Sequence, residues 1–414
     1  MRAISLALTL FLLPVALPAA AAAAPGLPTA AAVLPKDDGW AASGSGTTGG
    51  AGGTTVTVHS RDELAAAVAG AAPKTVIVEG TIDGPACEGL ADPEYNLEAY
   101  LAAYDPAVWG RATDPSGPLE QARVRSVAAQ RALTEIKVGP NTTVLGRHAV
   151  LRHLTLMIDT APNVIVRNLS FEDAADCFPR WRPTDGAEGN WNSEYDLVSV
   201  RRSTNVWVDH NTFSDGANPD SLQPVYFGRP WQVHDGALDI THTSDLVTVS
   251  WNVFVNHDKT MLIGSSDTVG PDVGKLRVTL HDNVFDGVGQ RAPRVRFGQV
   301  DVYNNFFKVR EPYDYSVGIG IQSATVLENN YFCVDETIAL DRLLKDWKGT
   351  KLTEKGTWAN RGPVSLLTAY NTSHDPDFAA DAGWVPELRA HKPLPAVVVP
   401  ILTTIFAGAG RIPV

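Results

Sequence analysis

Charged side chains that could do chemistry gather in the middle of the chain. Asp196 closes the run Asn-Trp-Asn-Ser-Glu-Tyr-Asp at 190–196, and Asp235 and Asp239 stand four apart around Gly236 in His-Asp-Gly-Ala-Leu-Asp at 234–239. Lys259 ends Asn-His-Asp-Lys at 256–259, and Arg291, Arg294 and Arg296 follow one another through Gln-Arg-Ala-Pro-Arg-Val-Arg. Several carboxylates converging from neighbouring segments make an oxygen-rich site for a hard cation, and calcium suits it because it accepts many oxygens in irregular geometry. Zinc is not expected, since the histidines are neither paired with cysteines nor spaced for it. Arginine forks match carboxylates, so the cations point to an anionic ligand. Positions 294 and 296 share a face in an extended segment, whereas periodicity leaves the direction of Arg291 open. Two plainer readings compete: aspartates also cap turns, and a row of arginines also makes surface ion pairs.

Something must bring these segments side by side. From about residue 142 the chain breaks into short β-branched runs separated by turn residues. Inside them Asn-x-Phe recurs at Asn211, Asn252, Asn283, Asn305 and Asn330, with Asn168 in the looser form Asn-Leu-Ser-Phe. The steps between these asparagines are 43, 41, 31, 22 and 25 residues. The shortest are one period of about two dozen residues, and such a repeat in strand-rich sequence means a solenoid. Each coil has open strand edges that only the next coil satisfies, so the expected fold is all-β, a parallel β-helix. Asparagines at matching turns then hydrogen-bond up the stack. A β-sandwich would also show short strands, but not the same register five times. The long loops at 215–233 and 265–275 are expected on one face, as the walls of a groove.

The N-terminal part reads differently. Met1 and Arg2, an apolar run at 4–17 and the alanines of 19–24 make a secretory signal peptide over 1–24, so the protein is expected to be secreted. Pro14 and Pro18 break the run, and no other stretch is apolar enough to cross a membrane. Residues 25–45 read as a linker and 46–414 as the β-helix domain. Ser60 and Glu63 form a capping-box pair that starts a short capping helix. Residues 88–134 read as a helical insertion, with helices over 97–104 and 119–133.

Composition sets the remaining limits. With 1–24 removed only Arg2 is lost among charged residues, so 33 basic residues face 46 acidic ones, a balance of −13. An anionic surface argues against nucleic acid, and it requires a local positive site for any anionic substrate. Cys87, Cys177 and Cys333 are too few for a disulfide framework. One bridge among them leaves a free thiol, and the sequence does not say which. A monomer is expected.

The blocks at 190–196, 207–216, 234–239, 257–264 and 290–305 together resemble the signature segments of the pectate lyases of polysaccharide lyase family 1. Thr-Thr-Gly-Gly-Ala-Gly-Gly at 47–53, Asn-Thr-Thr-Val-Leu-Gly at 141–146 and Ala-Gly-Ala-Gly-Arg at 407–411 extend the likeness, which is weakest over 88–134 and 334–380. The resemblance implies a right-handed β-helix that cleaves polygalacturonate by β-elimination. It implies that Asp196, Asp235 and Asp239 hold the primary calcium, and that Asp185 helps bind further calcium when substrate is present. It implies Arg291 as the base and Lys259 and Arg296 as ligands for the substrate carboxylate. The family's usual Val-His-Val-Tyr-Asn-Asn reads Val-Asp-Val-Tyr-Asn-Asn here, with Asp301 in place of histidine. A free guanidinium keeps its proton to about 12.5, so an arginine base predicts activity that rises toward alkaline pH. Pectin lyases share the fold without calcium, polygalacturonases hydrolyse through a carboxyl pair, and a binding solenoid would not shorten its ligand.

Overall fold

The computed structural model describes residues 33–414, so the signal peptide and the start of the linker lie outside the described residues. The chain winds into a right-handed parallel β-helix. Each coil adds one short strand to a parallel eight-stranded sheet. In chain order these are Glu135–Lys137, Thr155–Asp159, Val198–Arg201, Leu238–Thr241, Leu262–Ile263, Arg294–Val295, Val317–Gly320 and Leu344–Trp347. The rest of each coil enters a seventeen-stranded sheet that turns a corner, as where Thr204–Asp209 is followed by Thr212–Ser214.

Side chains alternate across a strand, and on the eight-stranded sheet this alternation divides core from surface. Val198, Val200, Leu238, Ile240, Ile263, Val295, Val317 and Ile319 point into the helix and are fully buried. Their neighbours Ser199, Asp239, Thr241, Leu262, Arg294, Arg296, Lys345 and Trp347 stand on the outer face. The candidate site is therefore the outside of one sheet, with coils about 4.8 Å apart.

The repeated asparagines form a ladder at the corner of the larger sheet. The Nδ2 of Asn211 donates to Oδ1 of Asn252 at 3.0 Å, Asn252 to Asn283 at 3.0 Å, Asn283 to Asn305 at 2.9 Å and Asn305 to Asn330 at 3.1 Å. Each Oδ1 also accepts the backbone N–H of the asparagine one coil earlier. Two residues on, Phe171, Phe213, Phe254, Phe285, Phe307 and Phe332 stack inside with ring centroids 4.3–5.0 Å apart. Asn168 stands one position off the ladder. Phe171 pairs with Phe213, which places Leu169 opposite Asn211, and it is the Leu169 N–H that donates to Asn211.

Helix α1 (Arg61–Ala67) closes one end. Ser60 accepts the Glu63 N–H, and Glu63 reaches back to the His59 N–H at 2.8 Å. Leu64 and Val68 seal the core beneath it. The insertion carries α2 (Leu97–Tyr104) and α3 (Pro118–Thr134). Their apolar faces join Trp181, Trp191 and Trp231 in a second, aromatic core. The disulfide is Cys87–Cys177, which ties the start of the insertion to the β-helix, and Cys333 is free and exposed. At the far end α4 (Leu366–Ser373) buries Leu366 and Tyr370, whereas α5 (Val399–Phe406) packs along the side, with Val399 beside Val284 and Phe306.

One segment departs from the sequence reading. The described part of the expected linker is docked: Leu34 and Ala41 cover Ile165 and Trp207, and the Ala41 N–H donates to Thr248. Outward-facing apolar side chains of the larger sheet need such a cover. Asp301 lies on that sheet too, buried and away from the candidate site, where Arg389 grips it through Nε at 2.8 Å and Nη2 at 2.5 Å. A C-terminal arginine thus supplies the charge partner that an aspartate at this place requires.

Candidate active site

Gly236, Lys259 and Gln290 occupy the same place on three successive coils. Asp235, Lys259 and Arg291 consequently meet although 56 residues separate the first from the last. Asp239 comes from the strand Leu238–Thr241, an element the sequence reading does not name. Asp196 stands two residues ahead of Val198–Arg201. The Oδ1 of Asp196 accepts the Gly236 N–H at 2.9 Å, and the Oδ1 of Asp239 accepts the Leu262 N–H at 2.9 Å. Both oxygens lean over Gly236, where an added Cβ would lie 2.8 Å from Asp196 and 2.4 Å from Asp239. Only glycine leaves that space open. Asp235 turns to Lys259, with Nζ to Oδ1 at 3.1 Å.

Crowding shows in the protonation of the acids. Burial, then Asp239 and Asp235, push the Asp196 carboxyl well above the usual range. Burial and Asp235 push Asp239 up to about 7 against the pull of Arg291 and Lys259. A cation would relieve both. Among the described residues no group of three acidic, histidine or cysteine side chains is arranged to hold a metal ion as it stands, and Asp235 is engaged by Lys259. The donor set is nonetheless all oxygen, and the gap over Gly236 is lined by two carboxylates, so these residues fit a hard cation once Asp235 swings from the lysine. Asp185 is on an exposed turn, where it accepts a long contact from Asn192 at 3.4 Å, and its contacts do not reach the cluster.

The cations differ in how they are held. Arg296 is buried, donating from Nε to Asp267 at 2.7 Å and from Nη1 to the Gly264 carbonyl at 2.7 Å. Lys348 and Arg296 together hold the Asp267 carboxyl down at about 2. Arg291 has φ +58°, three residues before its strand, and its Nε is buried without a partner. A groove of about 650 Å³ opens beside Asp196 and Asp235 and runs toward Arg131, Lys137 and Arg201.

Two histidines behind the cluster were not singled out from the sequence. His234 lies between Asp173 at 2.9 Å and Asp220 at 3.1 Å. Burial would lower its pKa, but the carboxylates prevail and raise it to about 10. His257 is held by Asp215 and donates from Nε2 to the Asp235 carbonyl at 2.9 Å. These are positioning residues that fix the 234–236 backbone. The available signal was a His-Asp pair on each of two neighbouring coils, at 234–235 and 257–258.

Acids and cations gathered on the outer face of a parallel β-helix suit the class of enzymes that act on acidic polysaccharides. Residues 112–371 match the family model described as pectate lyase. A pectate lyase of Bacillus subtilis (strain 168) is 39% identical over 402 residues, covering 92% of this chain and 93% of that protein. The solved structure of a thermostable pectate lyase, PL 47, superposes with a TM-score of 0.89 at 41% identity, covering 93% of this chain and 99% of that one. A pectate lyase bound to a hexasaccharide superposes at 0.88 with 37% identity and the same coverage. The chain belongs to the pectate lyase family and is a polysaccharide lyase.

Proposed function

We propose that this lyase is secreted and cleaves (1→4)-α-D-galacturonan by β-elimination, giving 4,5-unsaturated oligogalacturonides. The observation that carries the reading is Arg291, a guanidinium with no hydrogen bond or ion pair among the described residues, set beside Lys259 and a crowded carboxylate cluster. As base Arg291 acts in its neutral guanidine form, taking the proton from C5 of a uronate to become guanidinium and releasing it to water before the next turnover. The C5–H electron pair becomes the C4–C5 double bond, the C4–O bond breaks, and the leaving oxygen takes a proton from water. Lys259 and Arg296 bind the uronate carboxylate and steady the charge that develops beside C5. Asp196, Asp235 and Asp239 would hold calcium, with Asp185 joining when substrate arrives. Bound there, calcium supplies further positive charge at the uronate. The occupied hexasaccharide site of the solved relative supports an oligosaccharide ligand. Secretion is supported by the residue pattern of 1–24 and by the Cys87–Cys177 bridge, since disulfides persist in oxidising compartments. No described helix is long and apolar enough to cross a membrane.

Incubation with polygalacturonate tests the reading. Ultraviolet-absorbing product should form, stop in excess chelator and resume with added calcium. Full activity in chelator removes the calcium role, and shortened chains without the new absorbance mean hydrolysis.

A further inference from the structure

Three arginines lie within six residues on one coil, and only two have been given work. Arg294 stands on the same outer face as Arg296 and opposite Leu262 on one side and Gly318 on the other. Its guanidinium carbon sits 3.7 Å above the Trp347 ring. The group is half-buried, its Nε is shielded from solvent without an acceptor, and it makes no hydrogen bond or ion pair among the described residues. Tyr315 Oη and Trp347 Nε1 beside it are likewise buried without an aligned partner. The nearby acids are taken, Asp267 by Arg296 and Lys348 and Asp314 by Lys345. Burial first, and then Arg296, lower the Arg294 pKa to about 10, the direction expected of a cation with no anion of its own.

Glycine shapes the place. A Cβ on Gly318 would lie 2.9 Å from Trp347, 2.9 Å from Tyr315 and 3.1 Å from Arg294. Its absence lets the guanidinium lie flat on the indole. A half-buried fork of donors whose shielded Nε has no acceptor costs stability unless something brings one.

We infer that Arg294, held flat by Trp347, is a further binding residue that grips a carboxylate of the galacturonan chain. Arg294 lies two coils from Asp239, about 10 Å along the sheet. The inference rests on the galacturonan reading above.

The test measures calcium-supplemented binding of hexagalacturonate on an Arg291→Ala background, so that no substrate is consumed. Adding Arg294→Met keeps a long side chain on the Trp347 ring but removes the charge and donors. Affinity should fall about tenfold, the scale of one charged hydrogen bond, while Arg294→Lys should recover part of it. Trp347→Ala should also weaken binding, and Trp347→Phe should not. Binding unchanged by Arg294→Met means that the arginine only packs on the indole, and overturns the inference. If hexagalacturonate binds with this dependence but the unmodified enzyme yields no unsaturated product, the reaction falls and the binding residue stands. If hexagalacturonate does not bind, both fall.

Discussion

The asparagine corner and the outer face of the eight-stranded sheet belong to the same coils, yet they treat polar side chains in opposite ways. At the corner each amide accepts from the coil before it and donates to the coil after it, and Asn211 to Asn330 are buried and satisfied. On the outer face Asp196 and Asp239 crowd over Gly236, while Arg291 and Arg294 have no acceptor among the described residues. The difference follows from the groups themselves. An amide is donor and acceptor at once, so identical side chains can pair up a stack. A carboxylate only accepts and a guanidinium only donates, so neither can pair with its like. Stacking stabilises the first region and leaves the second waiting for a ligand.

The comparison breaks most sharply at Arg291. Arg291→Ala should lower kcat about a thousandfold, in the range of a lost general base, with trigalacturonate affinity held within about threefold and the melting temperature unchanged. The unmodified rate should climb toward alkaline pH. A variant that keeps most of its turnover, or an optimum clearly below neutrality, removes the base assignment.

Asn283→Ala should do the reverse. It removes the acceptor for the Asn252 N–H and amide and the donor to Val249 and Asn305. Unfolding free energy should fall by about 2–4 kcal/mol with kcat on the folded fraction unchanged. Equal loss of turnover would mean that corner and site are not separable.

The smallest effect concerns the docked N-terminal segment. His281 lies 3.3 Å from Asp38 of that segment and hydrogen-bonds Asp282 at 2.8 Å, with its ring stacked on Tyr303. Burial alone would lower its pKa, but Asp38 and Asp282 raise it to about 10. A raised pKa gives stability that is complete below about 6.5 and is lost as pH rises through about 10. Melting temperature should therefore decline over that window by more than in His281→Gln. The difference should be worth at least about 1 kcal/mol, the value of one pKa unit. Parallel declines would show that the ion pair does not pin the segment.

Local signals were the most legible in the sequence. Ser60 and Glu63 announced α1 because a capping box is complete within four residues. The insertion helices fell close to the expected 97–104 and 119–133, since helical contacts are short-range. The Asn-x-Phe repeat revealed the ladder, but the looser Asn168 was out of step, because register is decided by pairing with the next coil. The strand carrying Asp239 was missed: four residues beside a glycine give too little periodicity. The partners Asp267 of Arg296 and Arg389 of Asp301 lie 29 and 88 residues away, and no spacing rule reaches that far.

By itself the sequence determined that coils stack, which residue types they carry to one face, and the family whose blocks they match. It determined that Asp196, Asp235, Asp239, Lys259, Arg291 and Arg296 are the set to consider, with Asp185 beside them. Only the tertiary structure decided which are spent and which are free. Arg296 is committed to Asp267 and Asp235 to Lys259, the Asp185 carboxylate faces Asn192, and Arg291 and Arg294 are unpaired among the described residues. The physical reason is that a charge's partner is set by what lies across the next coil, and that neighbour is chosen by the winding of the whole chain.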